Sequence, residues 1–461
     1  MGRWTRWLVV WCGYYALVGA ASAHTIGRSR FGAPLPLELL YAGAGGTVVL
    51  TAVWLGVTDG ETTHAHPQTV GALSPSAGTV LRGVARVSFL ALFVAALGHG
   101  FAGRQVAAEN LATVFVWPIW LKGVGLLAIL FGSPWRVLSP WESLYDLLVA
   151  LEGEELAVVG SLPSWLGAWP AVVGFVVGIG VVENLTVIIR SPRMTVLLVA
   201  SYTLVMLIGA VAFGREWFER ADTLTVLYEL FARVAPILFQ QTDTGGYRVR
   251  FRTPWSGCTT PVAGVSLVIF VIAAVYTVSF DGFSESTAYQ TLLFGTRELL
   301  GIGPLVSLLV YLTGLLAFVG SFALAAVAVE ALATGDASNW IATARAFAPT
   351  VVPIAAAYEV AHNYPFVLRN VGQLLTIAIE FVAASGTTIS LLGWLSVPVF
   401  WASQVLLIVG GHVVAVVAAH RVAVDRYETL TLARRGHLPL VVVMVGYTVL
   451  SLWIVSRPFA S

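Results

Sequence analysis

Long apolar stretches recur along almost the whole chain and are separated by short polar segments. A membrane-spanning helix needs about 20 mostly apolar residues to cross about 30 Å of hydrocarbon. We therefore predict an all-α polytopic transmembrane helix bundle with about ten spans in the mature chain and no room for a soluble domain. The predicted spans are 35–57, 87–103, 111–132, 166–187, 195–214, 261–280, 303–333, 346–375, 392–420 and 438–457.

Two further segments are apolar but are not predicted to cross the membrane as single helices. Segment 222–240 carries Asp222, Glu229 and Arg233, and such amphipathic stretches often lie in the membrane interface. Segment 133–165 contains tryptophans followed by leucines. It is predicted to form an interfacial helix whose tryptophans lie among the lipid headgroups.

The N-terminus has the pattern of a secretory signal. Two arginines precede the apolar run from Trp7 to Ala20, and Ala21-Ser22-Ala23 matches a cleavage site of small residues. This pattern predicts that residues 1–23 are a signal peptide and that 24–461 form a single multi-span domain. An uncleaved N-terminal membrane segment is the alternative.

Arginines in short loops predict the orientation, because basic loops are retained on the cytoplasmic side. Two clusters, within 248–252 and 421–435, are predicted to be cytoplasmic. If segment 222–240 does not cross the membrane, counting back from these clusters places residue 24 outside the cell. A signal peptide requires that position for the start of the mature chain. Arg190 and Arg193 then face outside, against the rule. We predict a multi-pass protein of the plasma membrane.

Composition strengthens the membrane assignment. Of 461 residues, 58% are hydrophobic and 11% charged, whereas a soluble domain is roughly 25% charged. The net charge of +1 gives no attraction for nucleic acid, so the lipid bilayer is the only partner that the composition indicates. Lys122 is the only lysine, which we interpret as a coding bias toward arginine. Two cysteines cannot build a Cys-based zinc or iron–sulfur site.

Ionisable residues inside spans are costly, so each is a candidate functional residue. Glu359 and His362 stand at i and i+3 and share a helix face, as carboxylate and imidazole ligands do in metal-binding bundles. Antiparallel pairing of the neighbouring span places His362 level with Gln404 and His412 about 7 Å closer to the cytoplasm than Glu359. Glu359, His362 and His412 are therefore candidate ligands of a divalent transition metal. A structural Glu–His pair and a proton or ion pathway are the alternatives.

Pro365 follows closely and is predicted to interrupt the helix beside this cluster, where a cavity would be tolerated. His24 would become the mature N-terminus, where its amine and imidazole suit copper(II); an incidental histidine is the alternative. The sequence has no G-x-S-x-G, P-loop or dinucleotide motif. Further polar candidates in or beside spans are His99, Glu183, Asp281, Gln373, Gln404 and His420.

Several segments, in this order and spacing, resemble a family of polytopic membrane proteins commonly labelled fenitrothion hydrolase-like. They are 23–45, 109–141, 227–237, 279–284, 353–364 and 401–424. The resemblance implies a multi-helix membrane protein related to an organophosphate esterase. The histidines at 24, 362, 412 and 420 match positions of the family pattern, whereas Glu359 stands where that pattern is apolar.

Two functions follow as hypotheses. The first is a metal-dependent membrane hydrolase, as the resemblance implies. The second is a transporter or channel that uses the same buried polar residues as an ion or proton pathway. A haem protein is a weaker third interpretation, because the 13–14-residue histidine spacing expected of stacked haems is absent.

Overall fold

The computed structural model describes residues 37–58, 67–383 and 389–456; the predicted signal peptide and His24 lie outside them. Ten helices in this part are long and apolar enough to cross a membrane, which confirms the all-α polytopic bundle. They are numbered spans 1 to 10 in chain order: Leu37–Thr58, Pro75–Ala102, Leu111–Phe131, Ser164–Glu183, Pro192–Phe213, Val265–Ser284, Leu305–Thr334, Trp340–Ile379, Val397–Arg426 and Leu430–Ile454.

Three spans are not regular α-helices throughout. Span 3 consists of α-helix Leu111–Val114, π-helix Phe115–Gly123 and α-helix Val124–Phe131. Span 4 consists of 3₁₀-helix Ser164–Leu166, α-helix Trp169–Gly174 and π-helix Phe175–Glu183. Span 8 joins Trp340–Phe347 through a 3₁₀ turn, Ala348–Val351, to Val352–Ala383.

The predicted interruption at Pro365 is wrong. The helix Val352–Ala383 continues through that residue. The irregular winding instead lies in spans 3 and 4, and span 3 carries its own internal proline, Pro118. Proline lacks an N–H and cannot make the usual bond to the preceding turn, so Pro118 favours a departure from α geometry.

A small sheet joins two distant loops, which the helical pattern did not predict. Its strands are β1 Gln68–Leu73, β2 Ile237–Gln241 and β3 Tyr247–Phe251, in the antiparallel order β1-β3-β2. The short helices outside the spans are Trp135–Leu138, Pro140–Glu152, Glu216–Ala221, Thr223–Ala232 and Thr287–Leu300, with 3₁₀ turns at Ile188–Arg190 and Ser256–Cys258.

Segment 222–240 neither crosses nor lies in the interface as one amphipathic stretch. It forms a helix of 10 residues, Thr223–Ala232, followed by β2. Ten residues extend about 15 Å, too short to cross a bilayer. Seven of the ten are buried in the protein, and Tyr228 donates a hydrogen bond to the Leu121 carbonyl at 2.9 Å. The interfacial prediction is therefore wrong for this helix, which packs inside the bundle.

Asp222 holds the loop helices to the bundle. Its Oδ2 accepts from the indole N–H of Trp135 at 2.9 Å and of Trp141 at 3.1 Å, while Tyr202 of span 5 donates to Oδ1 at 2.8 Å. Burial raises the pKa of this carboxyl, and the donated hydrogen bonds oppose that rise. Both tryptophans are fully buried, so their predicted role as headgroup anchors is wrong.

The contacts that loops make with one another show which loops lie at the same end of the bundle. One end, here called the arginine-rich end, carries the sheet and the loops 132–163 and 214–264, joined by Arg136–Glu219 and Arg215–Asp146 ion pairs at 3.2 and 2.7 Å. The opposite end carries the loops 103–110 and 184–191, where the Arg193 amide donates to Gln105 at 3.2 Å. These groupings agree with ten alternating crossings.

Candidate functional site

An ion-paired cluster lies buried between four spans. The Lys122 ammonium of span 3 lies 2.9 Å from Glu183 Oε1 of span 4 and 3.6 Å from Glu359 Oε1 of span 8. All three residues are at most 6% exposed. In a low-dielectric interior a charge is tolerated only when it is paired and hydrogen-bonded. Lys122 is therefore the cation around which these carboxylates are arranged.

A second pair lies beside the first. His362 Nε2, one helical turn after Glu359, lies 3.6 Å from Asp281 Oδ2 of span 6. Asp281 is 8% exposed, and its charge also acts on Lys122. We call these five residues, Lys122, Glu183, Asp281, Glu359 and His362, the central cluster.

A small cavity opens onto the central cluster. Its volume is about 20 Å³, which suffices for about one water molecule. Its polar lining comes from Lys122, Asn184, Thr277, Asp281 and Glu359, and the remainder is apolar or aromatic. The structure therefore leaves room for about one water molecule beside the buried carboxylates.

The two spans that supply the Lys122–Glu183 pair are also the two with π-helical winding. Lys122 is the next-to-last residue of the π-helix Phe115–Gly123, and Glu183 is the last residue of Phe175–Glu183. Within the part of the chain that is described, these are the two π-helices. Such winding is rare and is frequently found at functional sites, which supports a functional role for the pair.

The predicted metal ligands do not gather at one point. Glu359 and His362 share a helix face, but Glu359 pairs with Lys122 and His362 with Asp281. His412 of span 9 donates from Nδ1 to its own helix, to the Ile408 carbonyl at 2.8 Å. Among the described residues no group of three His, Cys, Asp or Glu side chains could hold a metal ion. The described candidate ligands are therefore not brought together as a set of three, and metal binding stays a prediction.

The prediction that His362 of span 8 and Gln404 of span 9 lie at the same depth is confirmed. Gln404 Nε2 donates to the carbonyl of Ala361, the neighbour of His362, at 2.8 Å. Gln404 thus ties span 9 to span 8 at the height that was expected from counting residues. This contact positions the helix that carries His362 against span 9.

The other candidate residues have structural contacts. The exposed His99 accepts a hydrogen bond at Nδ1 from the Leu111 amide at 3.0 Å and so caps the start of span 3. Gln373 donates to the Ala108 carbonyl. His420 is buried, with its ring centroid 5.2 Å from that of His437.

Sequence reasoning missed two buried charged residues. Lys122 was set aside as coding bias, although a lone lysine inside an apolar stretch is itself a signal of function. Glu330 of span 7 is 4% exposed and accepts from Thr343 and Tyr427, with Arg426 at 3.6 Å. It lies near the end of its span, where a carboxylate is easily taken for a loop residue.

Comparison with known proteins adds no relative: no family model, no curated protein and no solved structure matches this chain. The resemblance to fenitrothion hydrolase-like proteins accordingly stays a prediction. What is established is an integral membrane protein, multi-pass by its ten apolar helices.

Proposed function

We propose that this protein is a membrane transporter whose central cluster binds and releases a proton during its cycle. The observation that carries the proposal is an excess of carboxylates. Three of them, Glu183, Asp281 and Glu359, surround one ammonium and one imidazole. Fully ionised, the central cluster has a formal charge of −2 with a neutral His362 and of −1 with a charged one.

An unbalanced charge inside a membrane protein is expensive. Insertion scales assign about 2.5–3.5 kcal/mol to one charged side chain at mid-helix in a bilayer. Binding one or two protons removes the excess negative charge, because protonation neutralises a buried carboxylate. The central cluster therefore favours an extra proton or a small cation, and it exchanges that charge when its surroundings change.

The arrangement also suits a transport cycle in which the central cluster is exposed first to one side of the membrane and then to the other. Its members come from four different spans, so a relative movement of the helices changes which carboxylate lies beside Lys122. Intramembrane ionisable residues at such junctions typically serve as ion sites or proton relays. The adjacent cavity supplies water for the transfer.

A metal-dependent hydrolase has less support. The Lys122 ammonium, 3.6 Å from Glu359, would repel a divalent ion at that carboxylate. The hydrolase rests on the family resemblance, and no contact of the candidate residues favours it over transport.

The proposal is tested by reconstituting the full chain in liposomes and recording charge displacement after a rapid pH change on a supported membrane. We expect a transient current in the wild type, and we expect Glu359→Gln and Asp281→Asn to lose most of it. Each variant removes a carboxylate but keeps the size and a polar side chain.

Glu298→Gln is the matched control, because Glu298 is an exposed carboxylate on the helix Thr287–Leu300. It should retain the wild-type current. A wild type without any current, or equal currents in all four proteins, would overturn the proposal.

A further inference from the structure

Glu142 carries a carboxylate that its own helix does not use. Ser139 caps the helix Pro140–Glu152 by accepting from the Glu142 amide at 3.3 Å. A glutamate at this position commonly bonds back to the amide of the capping residue. Here the Ser139 amide donates to the Trp135 carbonyl at 2.7 Å instead. The Glu142 side chain is therefore not held in a capping box, and it lines a cavity.

This cavity lies at the arginine-rich end, outside the central cluster. Its volume is about 70 Å³, which leaves room for several water molecules. Its lining is formed by Arg136, Glu142, Arg215, Phe218, Glu219 and Thr225. Glu142 is half-buried there, so its carboxylate meets the cavity but is largely withdrawn from bulk solvent.

The two arginines of the cavity pair with other carboxylates. Arg136 Nη1 lies 3.2 Å from Glu219 Oε1. Arg215 Nη2 lies 2.7 Å from Asp146 Oδ1. In the part of the chain that is described, the Glu142 carboxylate itself forms no ion pair or hydrogen bond. No cation is therefore held against it by the fold as described.

A second carboxylate adjoins the same cavity. Thr225 donates to Asp222 Oδ2 at 2.7 Å, and the charge of Asp222 acts on Glu142. Asp222 accepts further hydrogen bonds from two buried indoles and from Tyr202, and these favour its ionised form. Since two neighbouring carboxylates seldom both stay ionised, the shared proton belongs on Glu142. Burial and the charge of Asp222 accordingly raise the pKa of Glu142 to about 7.

The other charges near Glu142 come from several elements. Spans 2 and 5 and the helix Trp135–Leu138 pack on the helix Pro140–Glu152. The charged and titratable groups of these elements, of the loop 214–232 and of the segment 140–155 that surround Glu142 are Arg86, Arg136, Tyr145, Asp146, Glu155, Tyr202, Arg215, Glu219, Asp222 and Glu229. Three arginines and five carboxylates give this set a formal charge of −2, so ionised Glu142 would add to an excess of negative charge.

We propose that Glu142 is a proton-binding site separate from the central cluster, and that its proton holds the loop helices closed on the bundle. The loop helices are Trp135–Leu138, Pro140–Glu152, Glu216–Ala221 and Thr223–Ala232. The proton comes from water in the cavity and returns to it, while Glu142 changes between carboxylic acid and carboxylate. Once Glu142 is ionised, its repulsion by Asp222 is relieved when the helices move apart, which loosens them. The inference goes beyond the proposed function and does not depend on it.

One loop helix adjoins both cavities. Thr225 lines the cavity at Glu142, whereas Leu227 and Phe231 line the cavity of the central cluster. Leu227 and Phe231 stand four residues apart on one face of the helix Thr223–Ala232, and Thr225 is about 160° from Leu227 around its axis. The helix therefore lies between the two cavities. Loosening it reduces the cover of the central cluster on the side of the arginine-rich end.

Hydrogen exchange of the loop helices, measured by mass spectrometry on the full chain in detergent, tests the inference. Glu142 binds its proton more tightly in the closed state than in the open one. Closure therefore weakens as the pH rises toward about 7 and changes little above it. After correction for the intrinsic exchange rate, we expect the opening equilibrium constant of the wild type to be about tenfold larger at pH 8 than at pH 6.

Glu142→Gln keeps the size of the protonated side chain but cannot ionise. We expect its loop helices to open equally at both pH values, as the wild type does at pH 6. Glu152→Gln is the matched control, because Glu152 is an exposed carboxylate at the other end of the same helix. It should keep the change of the wild type.

Two results would contradict the inference: loop helices of the wild type that open equally at both pH values, or a tenfold change that persists in Glu142→Gln. If that variant does not fold, Glu142→Ala removes the same carboxylate, and a persistent change there would equally refute the inference. Hydrogen exchange requires no transport, so a protein without any proton-driven current could still pass this test. Failure here would in turn leave the currents expected of the central cluster unaffected.

Discussion

At the scale of single residues, Lys122 determines how the buried carboxylates are tolerated. Its replacement by methionine keeps the length but leaves Glu183 and Glu359 without the ammonium at 2.9 and 3.6 Å. Breaking a buried pair on one side costs about 3–5 kcal/mol, because a charge is left uncompensated. We expect Lys122→Met to lower the melting temperature markedly.

The double variant Lys122→Met/Glu183→Gln is the control for this prediction, measured by thermal unfolding in detergent. Removing the carboxylate that has lost its ammonium should restore part of the lost stability. An equal loss in both variants would show that the charge of Lys122 does not stabilise the fold.

The sequence allowed several residues of the central cluster to be singled out but not their partners. Glu183, Asp281, Glu359 and His362 were recognisable because ionisable groups inside apolar stretches are rare. Their pairing depends on which spans lie opposite each other, and i, i+3 spacing reports only neighbours on one helix. The local pattern therefore favoured a Glu359–His362 site, whereas each residue pairs with a different span.

At the scale of secondary structure elements, hydropathy predicted the spans well because backbone groups in lipid require helices. It could not predict the π-helices, because an apolar stretch has the same composition in either winding. It also missed the sheet, whose strands β1 and β3 are far apart in the sequence and hold polar and exposed residues. The burial of Trp135 and Trp141 depended on a distant carboxylate, Asp222, that no local signal reveals.

Asp222 provides a test of how the loop helices are held. Its carboxylate caps the helix Thr223–Ala232 through the Leu224 amide and accepts from Trp135, Trp141 and Tyr202. Loss of a cap alone costs about 1 kcal/mol, while each buried donor left unsatisfied adds about 1–3 kcal/mol. We expect Asp222→Ala to cost several times as much as a cap, measured by chemical or thermal unfolding.

Thr429→Ala is the matched control, because Thr429 caps span 10 through the Leu432 amide at an exposed position. It should show the cost of a cap only. Equal losses in the two variants would mean that the indole hydrogen bonds contribute nothing measurable.

At the scale of the whole molecule, the contacts between loops constrain the topology more strongly than hydropathy does. The pairing of β1 with β3 requires the loop after span 1 and the loop after span 5 to lie at the same end. An even number of crossings must therefore separate the two loops. Spans 2 to 5 provide four, and a fifth crossing by Thr223–Ala232 would place the loops at opposite ends. Arginines 248, 434 and 435 then lie at one end, which the positive-inside rule places in the cytoplasm.

That orientation is the last prediction. Single cysteines are placed at Arg248 and Arg434 for the arginine-rich end, and at Arg104 and Glu298 for the opposite end, all of them exposed positions. Cys12 is replaced by serine. Cys258 is retained, because burial raises the pKa of its thiol to about 12 and leaves too little thiolate to react.

In intact cells an impermeant maleimide should label the cysteines at 104 and 298, while those at 248 and 434 should react only after permeabilisation. The variant that keeps Cys258 alone should not be labelled in either condition. The reverse pattern would overturn the cytoplasmic assignment but keep the ten crossings. Labelling of 104 and 248 from the same side would instead contradict the alternation itself, because three crossings lie between the loop after span 2 and the loop after span 5.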